Sequence, residues 1–455
     1  MQYGDLLRSQ RTFFNSGRTR DYSYRMSALK ALREALIFYE KEFNQALLAD
    51  LNKSPYETFI SEYGLVLQQI SHVERRLKNW MKPRGKAVGI TGLPGRAYEL
   101  VEPYGIALII SPWNYPIALT IQPLIGAIAA GNCCVIKPSE LSPHTSVVLA
   151  KMIARAFPEE YIATVLGGKE ESQALLDQRF DYIFFTGSTA IGRLIMDKAA
   201  RHLTPVTLEL GGKSPCIVTA DADIRKAAKN IAYGKVMNSG QICVAPDYAL
   251  VDKTVAEPFC REFAAQCQKM VGNALDNAKY PRIINRRHFE RLQSLMEGVT
   301  IKSGGRSDPD TLKIEPTVLI DVKPNSPVMQ EEIFGPLLPV LPYHTLSEAE
   351  EFVKSREKPL ALYLFTTDKK TEKQVLDRLS FGGACVNDTV SHISCDGLAF
   401  GGVGESGMGA YHGVHSFETF SHRKGVYKKS SLFELPIRYQ PYGDKISGLL
   451  RFLMK

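Results

Sequence analysis

The chain has 455 residues, with 56 basic against 48 acidic side chains for a net charge of +8. That length exceeds one ordinary core and calls for two or three structural units. The basic residues are dispersed with no Lys/Arg tract, which argues against a nucleic-acid partner, and no apolar run approaches the ~20 residues that span a bilayer.

The N-terminus, MQYGDLLRSQRTFFNSGRTR, has no continuous apolar stretch of the signal-peptide kind. Residues 22–50 and 61–81 then carry apolar side chains at helical spacing with Lys, Arg and Glu between them. KPRGKAVGITGLPGRAYELVEPYG (82–105) is rich in Gly and Pro with short β-like pieces, so it reads as a protruding hairpin or arm.

The rhythm changes at GIALII (105–110), an apolar run suited to a strand buried on both faces. SPWNYP is a turn, and IALTIQPLIGAIAAG a helix closed by Gly131. CCVIK is a second buried strand. Ser142 and Pro143 are placed as N-cap and first residue of the next helix. ATVLGG and YIFF supply further strands. Strands alternating with helices predict an α/β protein with a parallel sheet, whose ligand sits at the carboxyl ends of the strands. A second α/β unit runs from about 206 to 395. The end of the chain holds a glycine-dense loop, FGGVGESGMGAYHG (400–413), an edge strand in FSHRKGVYKK, and an apolar tail, ISGLLRFLMK. The tail is expected to dock as a helix; lying on a membrane surface is the alternative. Eight cysteines without a C-x-x-C pair fit a reducing cytoplasm.

Two glycine arrangements compete for a phosphate. Gly402, Gly404 and Gly407 match G-x-G-x-x-G, but no apolar strand enters the motif and no good helix leaves it. In YIFFTGSTAIGRLIMDKAA a strand enters Thr186-Gly187-Ser188 and an amphipathic helix leaves. Free N–H groups at that helix start can hold a pyrophosphate. An ordinary strand–turn–helix corner remains the other reading, since the spacing is G-x-x-x-x-G.

Four further features lie in order. SPWNYP puts Asn114 just past a strand; LELGGKSP puts Glu209 on an apolar strand, where a carboxylate is costly unless paired or used. NSGQICVAP holds Cys243, and EEIFGP offers Glu332 and Phe334. A buried cysteine taken alone is usually an inert small hydrophobe.

Together with FTGST and KPSE, these motifs resemble the aldehyde dehydrogenase superfamily over essentially the whole chain. SPWNYP, SGQICVAPDY, the short N-terminus and the extended tail look like its class 3 branch, associated with medium- and long-chain aliphatic and aromatic aldehydes. The resemblance implies that the Cys243 thiolate attacks the carbonyl carbon. The Asn114 amide and the Cys243 N–H would hold the oxyanion, and Glu209 would activate water to release the acid. It implies NAD, with NADP possible, and no metal. Lys137 and Glu140 would bind the adenosine ribose; Gly187, Ser188 and Gly192 would meet the pyrophosphate. Leu210 and Gly211 would line the nicotinamide pocket, Glu332 would hold the nicotinamide ribose, and Phe334 would pack at that end. Trp113 and Tyr115 would wall the substrate tunnel.

The expected architecture is a Rossmann-like cofactor domain (1–82 and 103–209), an α/β catalytic domain (210–396), and a small β arm for oligomerisation (83–102 and 421–430). Residues 397–420 form a glycine-rich loop returning to the cofactor domain, and 431–455 the tail. A homodimer acting on a small-molecule aldehyde is expected. Two other classes stay open. One is an acylating enzyme that hands the thioester to coenzyme A, against which Glu209 argues. The other is a non-catalytic binding protein on the same fold.

Overall fold

The computed structural model describes residues 3–89, 92–432, 439–440 and 452. The reading of the tail as a docked helix falls almost wholly outside these residues. No described helix is long and apolar enough to cross a membrane.

A 30-residue helix, Tyr22–Leu51, opens on an Asp21 cap and stops at Asn52, whose left-handed φ of 55° turns the chain. The helical turn Pro55–Thr58 leads through a π-helical segment, Phe59–Tyr63, into the helix Gly64–Trp80. The two long helices pack against the helices Ala118–Ala130 and Pro143–Ala156, which in turn lie on a six-stranded sheet. Its order is Gly407–Met408, Val206–Glu209, Tyr182–Thr186, Ile106–Ile110, Cys133–Lys137, Ile162–Thr164. All but the first are parallel. The chain leaves Ile106–Ile110 toward one edge and returns on its other side at Tyr182–Thr186. That reversal opens a crevice at the strand ends, where Asn114 and Ser188 follow.

Gly131 ends the helix Ala118–Ala130 in the left-handed region, φ 95°. Ser142 precedes the helix Pro143–Ala156, but its side chain caps nothing; its hydroxyl turns back toward Ser139 O at 3.5 Å. The cap comes from Asp50, which accepts from Thr145 N at 2.8 Å, from Thr145 Oγ1 at 2.7 Å and from His144 N at 3.2 Å. A tertiary carboxylate displaced the local cap, a contact 95 residues apart that sequence spacing does not carry.

The second sheet has seven strands, ordered Thr300–Ser303, Thr317–Ile320, Leu337–Tyr343, Tyr248–Asp252, Pro215–Val218, Ala361–Phe365, Gly383–Val386. Only the first is antiparallel to its neighbour. A third sheet joins Arg84–Lys86, Gly95–Pro103 and Ser421–Lys429, all antiparallel. Arg84–Lys86 and Ser421–Lys429 are its two edges. The G-x-G-x-x-G loop brings Gly407–Met408 antiparallel onto Val206–Glu209, pairing Gly407 with Glu209. It closes the six-stranded sheet with a tight turn at Gly404, φ 67°.

Candidate active site

The helix Ile224–Val236 ends in a turn whose residues Asn238 and Ser239 both take left-handed backbone, φ 47° and 51°. Such geometry at non-glycine residues costs of order 1–3 kcal/mol each and persists only where the surroundings enforce it. Gln241 supplies the enforcement. Its amide donates to Asn238 O and Arg282 O at 3.0 Å each, and its oxygen accepts from Ile284 N at 3.0 Å. Cys243 follows two residues on. Cys243 borders an apolar cavity of about 130 Å³, lined by Tyr115, Leu119, Ile242, Val390 and Phe400 among others. Burial pushes the thiol well above its ordinary range, and the nearby Glu332 and Glu209 push it further. The resting sulfur is therefore a protonated thiol.

Asn114 lies beside this loop. Its side-chain Nδ2 donates to Gln241 O at 3.0 Å, and its backbone oxygen accepts from Asn238 Nδ2 at 2.9 Å. An amide nitrogen carries two protons, so the Gln241 bond occupies one and leaves one for a ligand. Tyr115 lines the cavity. Trp113 is not among the residues lining it: the indole lies edge-on to Phe334 at 5.3 Å and tilted against His288 at 5.4 Å. The two neighbours of Asn114 thus serve different compartments, because successive turn residues point in different directions.

Glu209 ends its strand fully buried, and neither carboxylate oxygen has a partner. Burial holds its pKa well above the usual carboxylate range. Leu210 is buried beside it, with its N–H on Ser406 O at 3.1 Å.

The crevice side begins at Gly187, whose N–H donates to Glu209 O at 3.0 Å. Ser188 is exposed at the N-cap of the helix Thr189–Ala200, and no side chain caps that end. Gly192 is not on the crevice surface. It is buried, its N–H is used on Ser188 O at 2.9 Å, and a β-carbon there would lie 2.7 Å from Leu210. Its contribution is close packing of helix on strand rather than a free donor. Lys137 is buried with Nζ on Pro138 O at 2.9 Å; Glu140, half-exposed, lies 3.8 Å from it.

Glu332 sits over Gly211 and accepts from Gly212 N–H, while its Oε1 has no partner. Burial raises its carboxyl to about 8. Its loop is gripped from three sides. Lys213, ion-paired with Asp247, donates to Val328 O and Glu331 O at 2.8 Å each. Asp247 accepts from Ile333 N at 2.9 Å, and Arg291 donates to Ile333 O at 2.6 Å. Phe334 follows with a left-handed φ of 50°.

The fold therefore brings Glu209 and Glu332 within electrostatic reach of Cys243 and sets Asn114 against the loop that carries it. Sequence reasoning did not single out Lys53, Glu62, Gln241, Asp247 or His412. His412 lines the cavity, buried and unpartnered at Nε2, with burial lowering its pKa to about 3. A polar residue at an unremarkable spacing carries no sequence signal of this kind.

The chain resembles known proteins over nearly its whole length. The sequence model described as "Aldehyde dehydrogenase family" matches residues 5–426. The 4,4'-diaponeurosporen-aldehyde dehydrogenase of Staphylococcus aureus is 44% identical over 97% of both chains. The dimeric NADP-preferring aldehyde dehydrogenase of Rattus norvegicus is 44% identical over 97% of this chain and 98% of its own. Aldehyde dehydrogenase family 3 member A2 of Mus musculus is 45% identical over 98% and 93%. Among solved structures, the substrate-bound state of Staphylococcus aureus AldH superposes with a TM-score of 0.96, at 43% identity and 98% coverage of both chains.

Proposed function

Because this chain belongs to the aldehyde dehydrogenase family, we propose that Cys243 is its nucleophile, Asn114 its oxyanion donor and Glu209 its water-activating base. The protein is an NAD(P)-dependent, non-acylating aldehyde dehydrogenase that oxidises aldehydes to carboxylic acids. The single observation behind the residue roles is Glu209, a buried carboxyl whose two oxygens have no partner and which lies near enough to act electrostatically on the Cys243 thiol. An unpaired buried carboxyl is destabilising, so its use lies in chemistry.

The crevice suits NAD(P). The uncapped helix end at Ser188 suits a pyrophosphate. Ile191 and Leu194 stay exposed on that helix, and Glu332 Oε1 lacks a partner. Lys137 and Glu140 would hold the adenosine ribose, Gly187 and Ser188 the pyrophosphate, and Glu332 the nicotinamide ribose, with Phe334 packed at that end. NAD(P), when bound there, would supply the hydride acceptor for the oxidation.

The chain's own groups do the rest. Cys243 Sγ passes its proton to solvent water and bonds to the aldehyde carbon, while the carbonyl electron pair moves to oxygen. The Asn114 amide and the Cys243 N–H hold that oxyanion; one such donor is worth about 2.7–4 kcal/mol. Loss of hydride leaves a thioester on Cys243. Glu209, ionised, takes a proton from water as the water oxygen bonds to the thioester carbon, and the Cys243 thiolate leaves. The acid departs.

The apolar cavity favours medium- and long-chain aliphatic or aromatic aldehydes. A cytoplasmic homodimer built through the three-stranded arm is the assembly this reading carries. Its support is the open edge Ser421–Lys429 and the dimeric name of the rat relative. The test follows nicotinamide absorbance with NAD and octanal, with and without coenzyme A, alongside alkylation of the eight cysteines. Turnover independent of coenzyme A, with inactivation tracking modification of Cys243, is the expected result. Inactivation with Cys243 unmodified overturns the assignment.

A further inference from the structure

Beneath Asn114 lies an ion pair that the mechanism above does not use. Lys53 and Glu62 both have side chains fully out of solvent and meet at 2.6 Å. They come from LNKSPYETFISEYG, ordinary charged residues in a helical region. Asn52, left-handed at the end of its helix, turns Lys53 inward, and Glu62 lies in the π-helical segment Phe59–Tyr63. Such segments re-aim side chains and concentrate at functional sites.

Among the described residues, the other side-chain hydrogen bonds of the pair go to residues 114–118. Lys53 Nζ donates to Asn114 O at 3.2 Å and lies 4.1 Å from the centroid of the Tyr115 ring. Glu62 Oε2 accepts from Ile117 N at 2.8 Å and Ala118 N at 3.3 Å. It thereby caps the helix Ala118–Ala130, whose own N-cap residue, Ile117, supplies no side-chain cap. Residues 114–118 are thus pinned at both ends. From the same segment, Glu57 accepts from Asn238 N at 2.7 Å, gripping the strained turn before Cys243.

A buried ion pair is weak evidence for stability, because apolar residues of similar volume often do as well. What apolar residues cannot do is hold a carbonyl and two amides at set positions. Misplacing a reacting group by 1 Å can cost about 10²-fold in rate. We infer that Lys53 and Glu62 are positioning residues that aim the Asn114 amide at the carbonyl oxygen bound over Cys243. This rests on the oxyanion role of Asn114 proposed above.

The test is a double-mutant cycle on the full-length enzyme with Lys53→Met, Glu62→Gln and Asn114→Ala. It reads octanal oxidation, cofactor-free hydrolysis of p-nitrophenyl acetate, NAD binding by fluorescence, and the alkylation rate of Cys243. Ester hydrolysis uses the same sulfur and oxyanion donors without the cofactor, so it isolates the oxyanion site. Lys53→Met and Glu62→Gln should each lower kcat/KM by about 10–100-fold in both reactions, leaving NAD affinity and alkylation within about 2-fold. In the Asn114→Ala background each should cost less than about 3-fold, because a positioning residue has nothing left to position. Full additivity with Asn114→Ala overturns the inference while leaving the role of Asn114 standing. Wild-type activity in Asn114→Ala alone removes that role, and the inference with it. Should Lys53→Met fail to fold, the near-isosteric Glu62→Gln carries the same cycle, with thermal melting run beside it.

Discussion

Gly211 and Glu332 share one volume: a β-carbon on residue 211 would collide with Glu332 Oε2. Gly211→Ala should therefore expel the carboxylate from its seat beside the Gly212 N–H. Loss of a charge-assisted contact of about 1.5–3 kcal/mol predicts a rise in KM for NAD of about 10–100-fold, with alkylation of Cys243 unchanged. Steady-state kinetics and the alkylation rate measure both. Since burial holds Glu332 at about 8, it is protonated below that pH in the free enzyme and ionised above it. Cofactor affinity should strengthen as pH rises through about 8, and Glu332→Gln should flatten that dependence.

Glu209→Gln separates the two halves of the reaction. Acylation needs the sulfur, the oxyanion donors and the cofactor; deacylation needs a base, worth about 10²–10⁴-fold. The variant should release about one equivalent of reduced nicotinamide per site in a burst and then turn over slowly. Intact mass after acid quenching should find the acyl group on Cys243. If Glu209 also helps deprotonate the thiol, which its proximity to Cys243 permits, the burst itself slows and recovers at high pH. Wild-type turnover in the variant would leave Glu209 a structural residue.

The same substitution carries a stability prediction. The folded protein holds the Glu209 proton well above the ordinary carboxylate range, so it binds a proton that the unfolded chain has released. Stability from this group is fully present below the unfolded pKa, about 4.3, and is lost as pH rises toward the raised folded value. Glutamine has no such proton to lose. Melting curves of Glu209→Gln and wild type should nearly coincide near pH 4, and the variant should melt higher by pH 8. A gap independent of pH would show that the carboxyl is not the source.

Cofactor choice turns on Glu140, half-exposed 3.8 Å from Lys137. A carboxylate there accepts from ribose hydroxyls and repels a 2′-phosphate, while Lys137 attracts it. Wild type should prefer NAD but still use NADP. Glu140→Gln should shift the ratio of kcat/KM toward NADP by about 5–50-fold, the range of one exposed to half-buried charge interaction. A wild-type enzyme that strongly prefers NADP would count against this placement.

Local pattern carried much of the architecture. GIALII and CCVIK are strands because unbroken apolar runs suit a sheet covered on both faces, and they lie at Ile106–Ile110 and Cys133–Lys137. Gly131 ends its helix for a reason confined to one residue, the freedom to turn left-handed. Ser142 shows the limit. It satisfies the capping preference, yet Asp50 from another helix takes the position, since a preference ranks local options and tertiary packing can supply a better one.

The α/β alternation and the ordered motifs around Asn114, Glu209, Cys243 and Glu332 are properties of the sequence itself, because each depends on residue type over a few neighbouring positions. The tertiary structure alone decided which groups meet. Trp113 turned to Phe334 while Tyr115 faced the cavity, and Gly192 packed on Leu210 instead of opening to the crevice. Lys53 and Glu62 left the solvent to grip Asn114, 61 positions from the lysine. Spacing records which face of an element a side chain occupies. The energy of a charge depends on what fills the space around it, and that space is built by segments far apart along the chain.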